Sequence, residues 1–217
     1  MPFTDSPRLQ GWLEHPLLGS DRGQRLRVFR TLMAAAVYYA CALGAVLNVV
    51  FCFGDKVETL WLLAYTLAGP VVFVLLVRSR WSGGLRDPSL CMPQMVYAVT
   101  ALLLAYPVAE TARGVTLALV VLVPVFGFEV VSRRQLRSLM GSSLLAFGAM
   151  MLALAVLYPD SFDPRVEALY FATLAICLPS MALMLEKILA MQADLRGRKY
   201  ALKQAWSRLS GSPPAMN

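Results

Sequence analysis

Residues 169–185 read LYFATLAICLPSMALML, and residues 186–210 continue without a break as EKILAMQADLRGRKYALKQAWSRLS. The first part holds 17 residues without Asp, Glu, Lys or Arg, the lower limit for a helix that crosses about 30 Å of hydrocarbon. The second part is charged, yet its apolar side chains recur at Ile188, Met191, Leu195, Leu202, Ala205 and Leu209. That spacing is an a/d-like seam of about three heptads, with Arg198 on one d position. Most intervening residues are good helix formers; Gly197 is the exception, at about 1 kcal/mol against alanine. From Ile188 to Leu209 such a helix extends about 33 Å. The expectation is a membrane-crossing helix that runs on as a coupling helix, 186–210, and transmits rotation or a change of crossing angle. Homodimerisation along Ile188, Leu195, Leu202 and Leu209 is its simplest use; a stop-transfer tail with no partner is the alternative. Residues 211–217, GSPPAMN, cannot continue a helix through their prolines and are expected to be disordered.

Upstream, the same apolar texture recurs five times. The runs at 28–53, 59–77, 93–109, 115–131 and 139–158 join 169–185 as six expected transmembrane helices, an all-α polytopic bundle over 28–185 behind an N-terminal segment of 1–27. Hydrophobic residues make up 58% of the 217, and charged residues only 15%, against about 25% in soluble domains. A large soluble core fails on geometry, because several runs are long enough to span the bilayer. Lys and Arg then orient the chain. On the side of both termini and the second and fourth links there are 17, from Arg8 to Arg208, while the other side holds only Lys56, Arg113 and Arg165. Both termini are therefore expected in the cytoplasm. The net charge of +7 is spent on this asymmetry, so no nucleic-acid partner is expected. The N-terminus lacks the layout of a cleaved signal peptide.

Short links leave no room for an external sensory domain, so a stimulus has to be read by the helices, their loops or membrane lipid. Polar and irregular positions inside the runs are the candidate contacts. Asn48 in the first run suits a helix contact or a backbone bond. Gln94, Tyr97 and Thr100 share one face of the third, where they line a polar patch or simply pack between helices. Glu129 is an acid within the apolar register and so a functional candidate, although Arg133 four residues on can pair with it. Pro70, Pro124 and Pro179 interrupt the second, fourth and sixth runs and kink them, shaping a pocket or a hinge or neither. Pro107 marks the end of the third. Tyr38, Tyr39, Tyr65, Tyr106 and Tyr170 mix interface anchors with interior positions. Gly44, Gly69, Gly127, Gly141 and Gly148 permit close helix approach.

Catalytic and cofactor chemistry is not expected. The one histidine, His15, precedes the first run, and Cys41, Cys52, Cys91 and Cys177 form no CxxC pair; neither metal nor haem ligation follows. No phosphate-cradling glycine loop and no set of facing carboxylates is present.

Four phrases carry a resemblance: LRDPSLCMPQMVYAVTALLLAY (85–106), FGFEVVSRRQL (126–136), LYPDSFDPRVEALYF (157–171) and LRGRKYALKQAWSRL (195–209). Together they resemble the membrane-embedded N-terminal sensory region of bacterial diguanylate cyclases, the GGDEF-domain proteins, over residues 25–209. The resemblance implies an inner-membrane unit that feeds a cytoplasmic helix into an output domain. It implies that Arg86, Asp87, Pro88, Pro93 and Gln94 form a structured cytoplasmic loop entering the third helix. Tyr158, Pro159, Phe162, Asp163 and Pro164 become the outer turn before the sixth. This sequence holds no cyclase domain, so the expectation is a non-catalytic sensor or signal-transduction module. Its expected partners are lipid, a second copy, a cytoplasmic output domain or protein, and a small hydrophobic ligand. A small transporter or channel subunit is the alternative.

Overall fold

A computed structural model describes residues 22–52, 56–79, 90–109, 113–127 and 131–210; the side chains at 22–26, 47–52 and 207–210 are among those outside it. Among the described residues the fold is all helix: α1 (Arg22–Cys52), α2 (Lys56–Arg78), α3 (Cys91–Val108), α4 (Arg113–Gly127), α5 (Arg133–Leu157) and α6 (Pro164–Ser210). The N-terminal residues 1–21, Arg86, Asp87, Pro88, Glu129 and the tail 211–217 lie outside the described residues, as do the side chains of Asn48 and Leu209.

Four of these helices, α2, α3, α5 and α6, are long and apolar enough to cross a membrane. Their outward faces are apolar too. Leu145, Leu152 and Val156 on α5 and Ile176, Leu183 and Met184 on α6 are all exposed. A continuous apolar surface of this kind calls for lipid or a partner rather than water. The 15 residues of α4 rise only about 22 Å, short of the hydrocarbon thickness.

Three boundaries differ from the sequence expectation. The helix expected from residue 28 already begins at Arg22, because arginine propagates a helix well and can carry its charge outward on an apolar stem. The basic link SRRQLRS is not a link: α5 starts within it, at Arg133. Ser132 supplies the reason. Its Oγ accepts the Gln135 N–H at 3.3 Å while its own N–H donates to Gln135 Oε1 at 3.2 Å, a reciprocal cap that starts the helix despite cations in its first turn. Finally, α6 starts at Pro164, ahead of the run expected from 169, and is one helix of 47 residues, about 70 Å long. Asp163 starts it, accepting the Arg165 N–H at 2.8 Å, with Pro164 at the first helical position, where a missing N–H costs nothing.

Packing divides the bundle. One core joins α3, α4, α5 and α6 through Tyr106, Val120, Leu136, Phe147, Leu174 and Leu178. Tyr106 and Phe147 meet edge to face, centroids 5.9 Å apart. Gly148 lies so close to Phe171 that a Cβ would stand 2.6 Å from its ring. The α1–α2 hairpin packs mainly on itself and joins the rest through α3. A small cluster of Val28, Val77 and Leu90 closes its base. Leu90 holds a left-handed φ of 51°, a conformation costing a leucine about 1–2 kcal/mol and offset here by its burial.

Candidate functional site

Three polar or aromatic constellations tie the helices together. The most buried lies at the end of the bundle remote from the C-terminal half of α6. Glu167, in the first turn of α6, is 3% exposed, and the Arg113 side chain opening α4 is 12% exposed. Tyr106, from the last turn of α3, donates its hydroxyl to Glu167 Oε2 at 2.6 Å. Arg113 Nη1 reaches Glu167 Oε1 at 3.4 Å and Nη2 reaches the Ser161 carbonyl at 3.4 Å. The guanidinium carbon sits 3.8 Å over the Phe162 ring, an orientation favoured by the ring's negative face. One carboxylate thus gathers the ends of α3, α4 and α6, and Arg113 adds the turn between α5 and α6. The tyrosine supplies the short bond, whereas arginine supplies charge at longer range. Arg113 Nε is buried without an acceptor among the described residues, so the guanidinium is not saturated.

The second constellation joins α1, α2 and α3 around Tyr97. Its ring stacks on Tyr65 with centroids 4.3 Å apart, and Phe73 meets it edge-on at 5.6 Å. The Tyr97 hydroxyl donates to the Tyr65 carbonyl. This contact falls beside Gly69 and Pro70 for two reasons. Pro70 cannot donate to the Thr66 carbonyl four residues back, next to the carbonyl that Tyr97 uses, and loosens that turn. Gly69 has no Cβ, and one added there would overlap the Tyr97 ring. Across the same interface Tyr38 donates to the Gln94 carbonyl at 2.8 Å, and Gln94 Nε2 donates to Thr31 Oγ1 at 3.5 Å.

The third contact is at the opposite end from the first. Arg137 Nε of α5 pairs with Glu186 Oε1 of α6 at 3.0 Å. Beyond Glu186, α6 leaves the bundle with Met191, Leu195, Leu202 and Trp206 exposed. Asp194 and Arg198 pair along its surface at 2.9 Å.

Of the residues singled out from sequence, Gln94 and Tyr97 stand together in the second constellation, as interhelical packing. Thr100 does not join them; its hydroxyl donates to the Val96 carbonyl of its own helix at 2.9 Å. Pro70 and Pro124 are buried and Pro179 is exposed. Ile188, Leu195 and Leu202 lie on the exposed part of α6. The turn at Tyr158–Pro164 forms with Phe162 buried and Asp163 capping α6.

Arg113 and Glu167 were missed. Sequence reading takes Arg113 only for its charge and does not single out Glu167. A signal was present, since Glu167 lies seven and eleven residues before Leu174 and Leu178, both 1% exposed, and so shares the inward stripe of α6. Among the described residues no three His, Cys, Asp or Glu side chains converge as metal ligands. Among the described residues, Cys41, Cys91 and Cys177 form no disulfide. Compared with known protein families, curated proteins and solved structures, the chain matches none.

Proposed function

We propose that the protein is a non-catalytic sensor or signal-transduction module of a bacterial inner membrane, with six crossings, both termini in the cytoplasm, and α6 as its output connector. The observation that carries this reading is the unbroken course of α6, Pro164–Ser210, from a buried polar cluster through an apolar segment to an exposed apolar stripe. A rigid rod with one end in the bundle and the other free converts a small movement at one end into displacement of the other. The 17-to-3 partition of Lys and Arg supports the orientation, and the resemblance to sensory regions of diguanylate cyclases supports the role.

The free end is suited to a second copy. Helices leaving one membrane face run parallel, and in a parallel pair a g residue faces the e residue of the next heptad. With Ile188, Leu195, Leu202 and Leu209 at a, Asp194 falls at g and Lys199 at e, opposite charges across the seam. Arg198 at d is partly neutralised by Asp194 on its own helix.

The test is fusion of the chain to an output that works only as a dimer. Leu195→Asp with Leu202→Asp is expected to abolish output while membrane level and helix content stay unchanged. Unchanged output would overturn the paired-helix relay.

A further inference from the structure

Two acidic residues of α6 are each held by an arginine of another helix, and they sit at opposite ends of the bundle. Glu167 pairs with Arg113 of α4 and Glu186 with Arg137 of α5. They are 19 residues apart, about 28 Å along a helix, close to the thickness of the hydrocarbon layer. Between them α6 carries no other charged residue. The rod is therefore pinned by polar contacts at both ends of its uncharged segment and by apolar packing between them.

The two pins are unequal. Glu186 and Arg137 are partly and largely exposed, with side chains at 24% and 66%, so water competes for both and the pair restrains weakly. Glu167 is buried and joins α3 through Tyr106 and α4 through Arg113, and Arg113 in turn holds the turn at Ser161 and Phe162. Its side-chain contacts are also separable, one short hydroxyl bond from Tyr106 and one guanidinium contact at 3.4 Å from Arg113, and Arg113 in turn reaches the Ser161 carbonyl at 3.4 Å. We propose that Tyr106, Arg113 and Glu167 form a latch at the outer end of the bundle that sets the position of α6, and that its opening releases the cytoplasmic end. This rests on the relay reading above and assigns the relay's input point.

Helices slide at packed interfaces by about 1–2 Å in switching proteins, so the test reads position directly. The full chain, with its native cysteines replaced, is placed in lipid nanodiscs carrying spin labels at Ser138→Cys on α5 and Ala190→Cys on α6. Both positions are exposed beside the Arg137–Glu186 pair. Glu167→Gln and Tyr106→Phe are each expected to shift the mean label distance by about 1–2 Å or more, or to broaden its distribution. Val115→Ala, on an exposed residue of α4, is expected to leave it unchanged. If Glu167→Gln does not fold, Tyr106→Phe decides, because it keeps every charge and the ring's packing on Phe147. Distributions that overlay the parent in every folded latch variant overturn the latch. The fusion output separates the two ideas. A shifted distance with unchanged output keeps the latch and overturns the relay; an unshifted distance with output lost in Leu195→Asp does the reverse.

Discussion

Glu167 shows how one side chain can organise four segments. Its carboxylate is nearly inaccessible, so its charge is tolerable only while Tyr106 and Arg113 stay in place. Arg113→Gln leaves that charge without a counter-ion, and breaking a buried pair in this way costs about 3–5 kcal/mol. Tyr106→Phe removes one hydrogen bond to a charged acceptor and should cost about 1.5–3 kcal/mol. Thermal unfolding of both variants in detergent, followed by helix content, checks the order: Arg113→Gln lower than Tyr106→Phe, and both below the parent. Gly69 offers a second residue-scale test. A methyl group there has to displace the Tyr97 ring, and overpacking of this kind costs about 1–3 kcal/mol. The expected outcome for Gly69→Ala is a lower unfolding temperature that Tyr97→Leu partly restores. Neither pairing was legible from single residues. Gln94 and Tyr97 could be placed on one face by helical spacing, but their partners Tyr65 and Thr31 come from distant parts of the chain. Glu167 was legible in principle, because its register matches Leu174 and Leu178.

At the scale of the helix, periodicity and apolar length carried most of the fold. The extents of α2 and α3 follow closely from runs of uncharged residues, and the continuation of α6 past Leu185 follows from the helix formers beyond it, while its start at Pro164 is set by the Asp163 cap. The start of α5 was hidden because three arginines in seven residues resemble a link, while the deciding feature was the local cap between Ser132 and Gln135. If rotation of α6 is what reaches the output, phase matters more than length. Two residues inserted between Lys187 and Ile188 turn the downstream stripe by about 200°, whereas seven return it to register. The fusion output should be lost with two alanines and retained with seven residues of heptad-compatible sequence. Equal output from both would exclude phase as the signal.

Across the whole molecule, charge and packing make the same division. Arg113 and the turn before α6 lie at one end, and Arg137, Glu186 and the free part of α6 lie at the other. In the proposed topology the first end faces outward. A thiol reagent that cannot cross the membrane should label Asp160→Cys in intact cells and label Ser138→Cys only after lysis; the opposite pattern would invert the topology. The proposed relay depends on α6 being a single rod from the turn before it to its C-terminal end. A pulsed electron-paramagnetic-resonance distance between labels at Arg165→Cys and Tyr200→Cys, within one labelled chain diluted by unlabelled copies in nanodiscs, measures that rod. For 35 residues of unbroken helix it should give a narrow distribution centred at about 53 Å; a centre below about 40 Å, or a broad spread, would mean a break between span and tail and would contradict the relay.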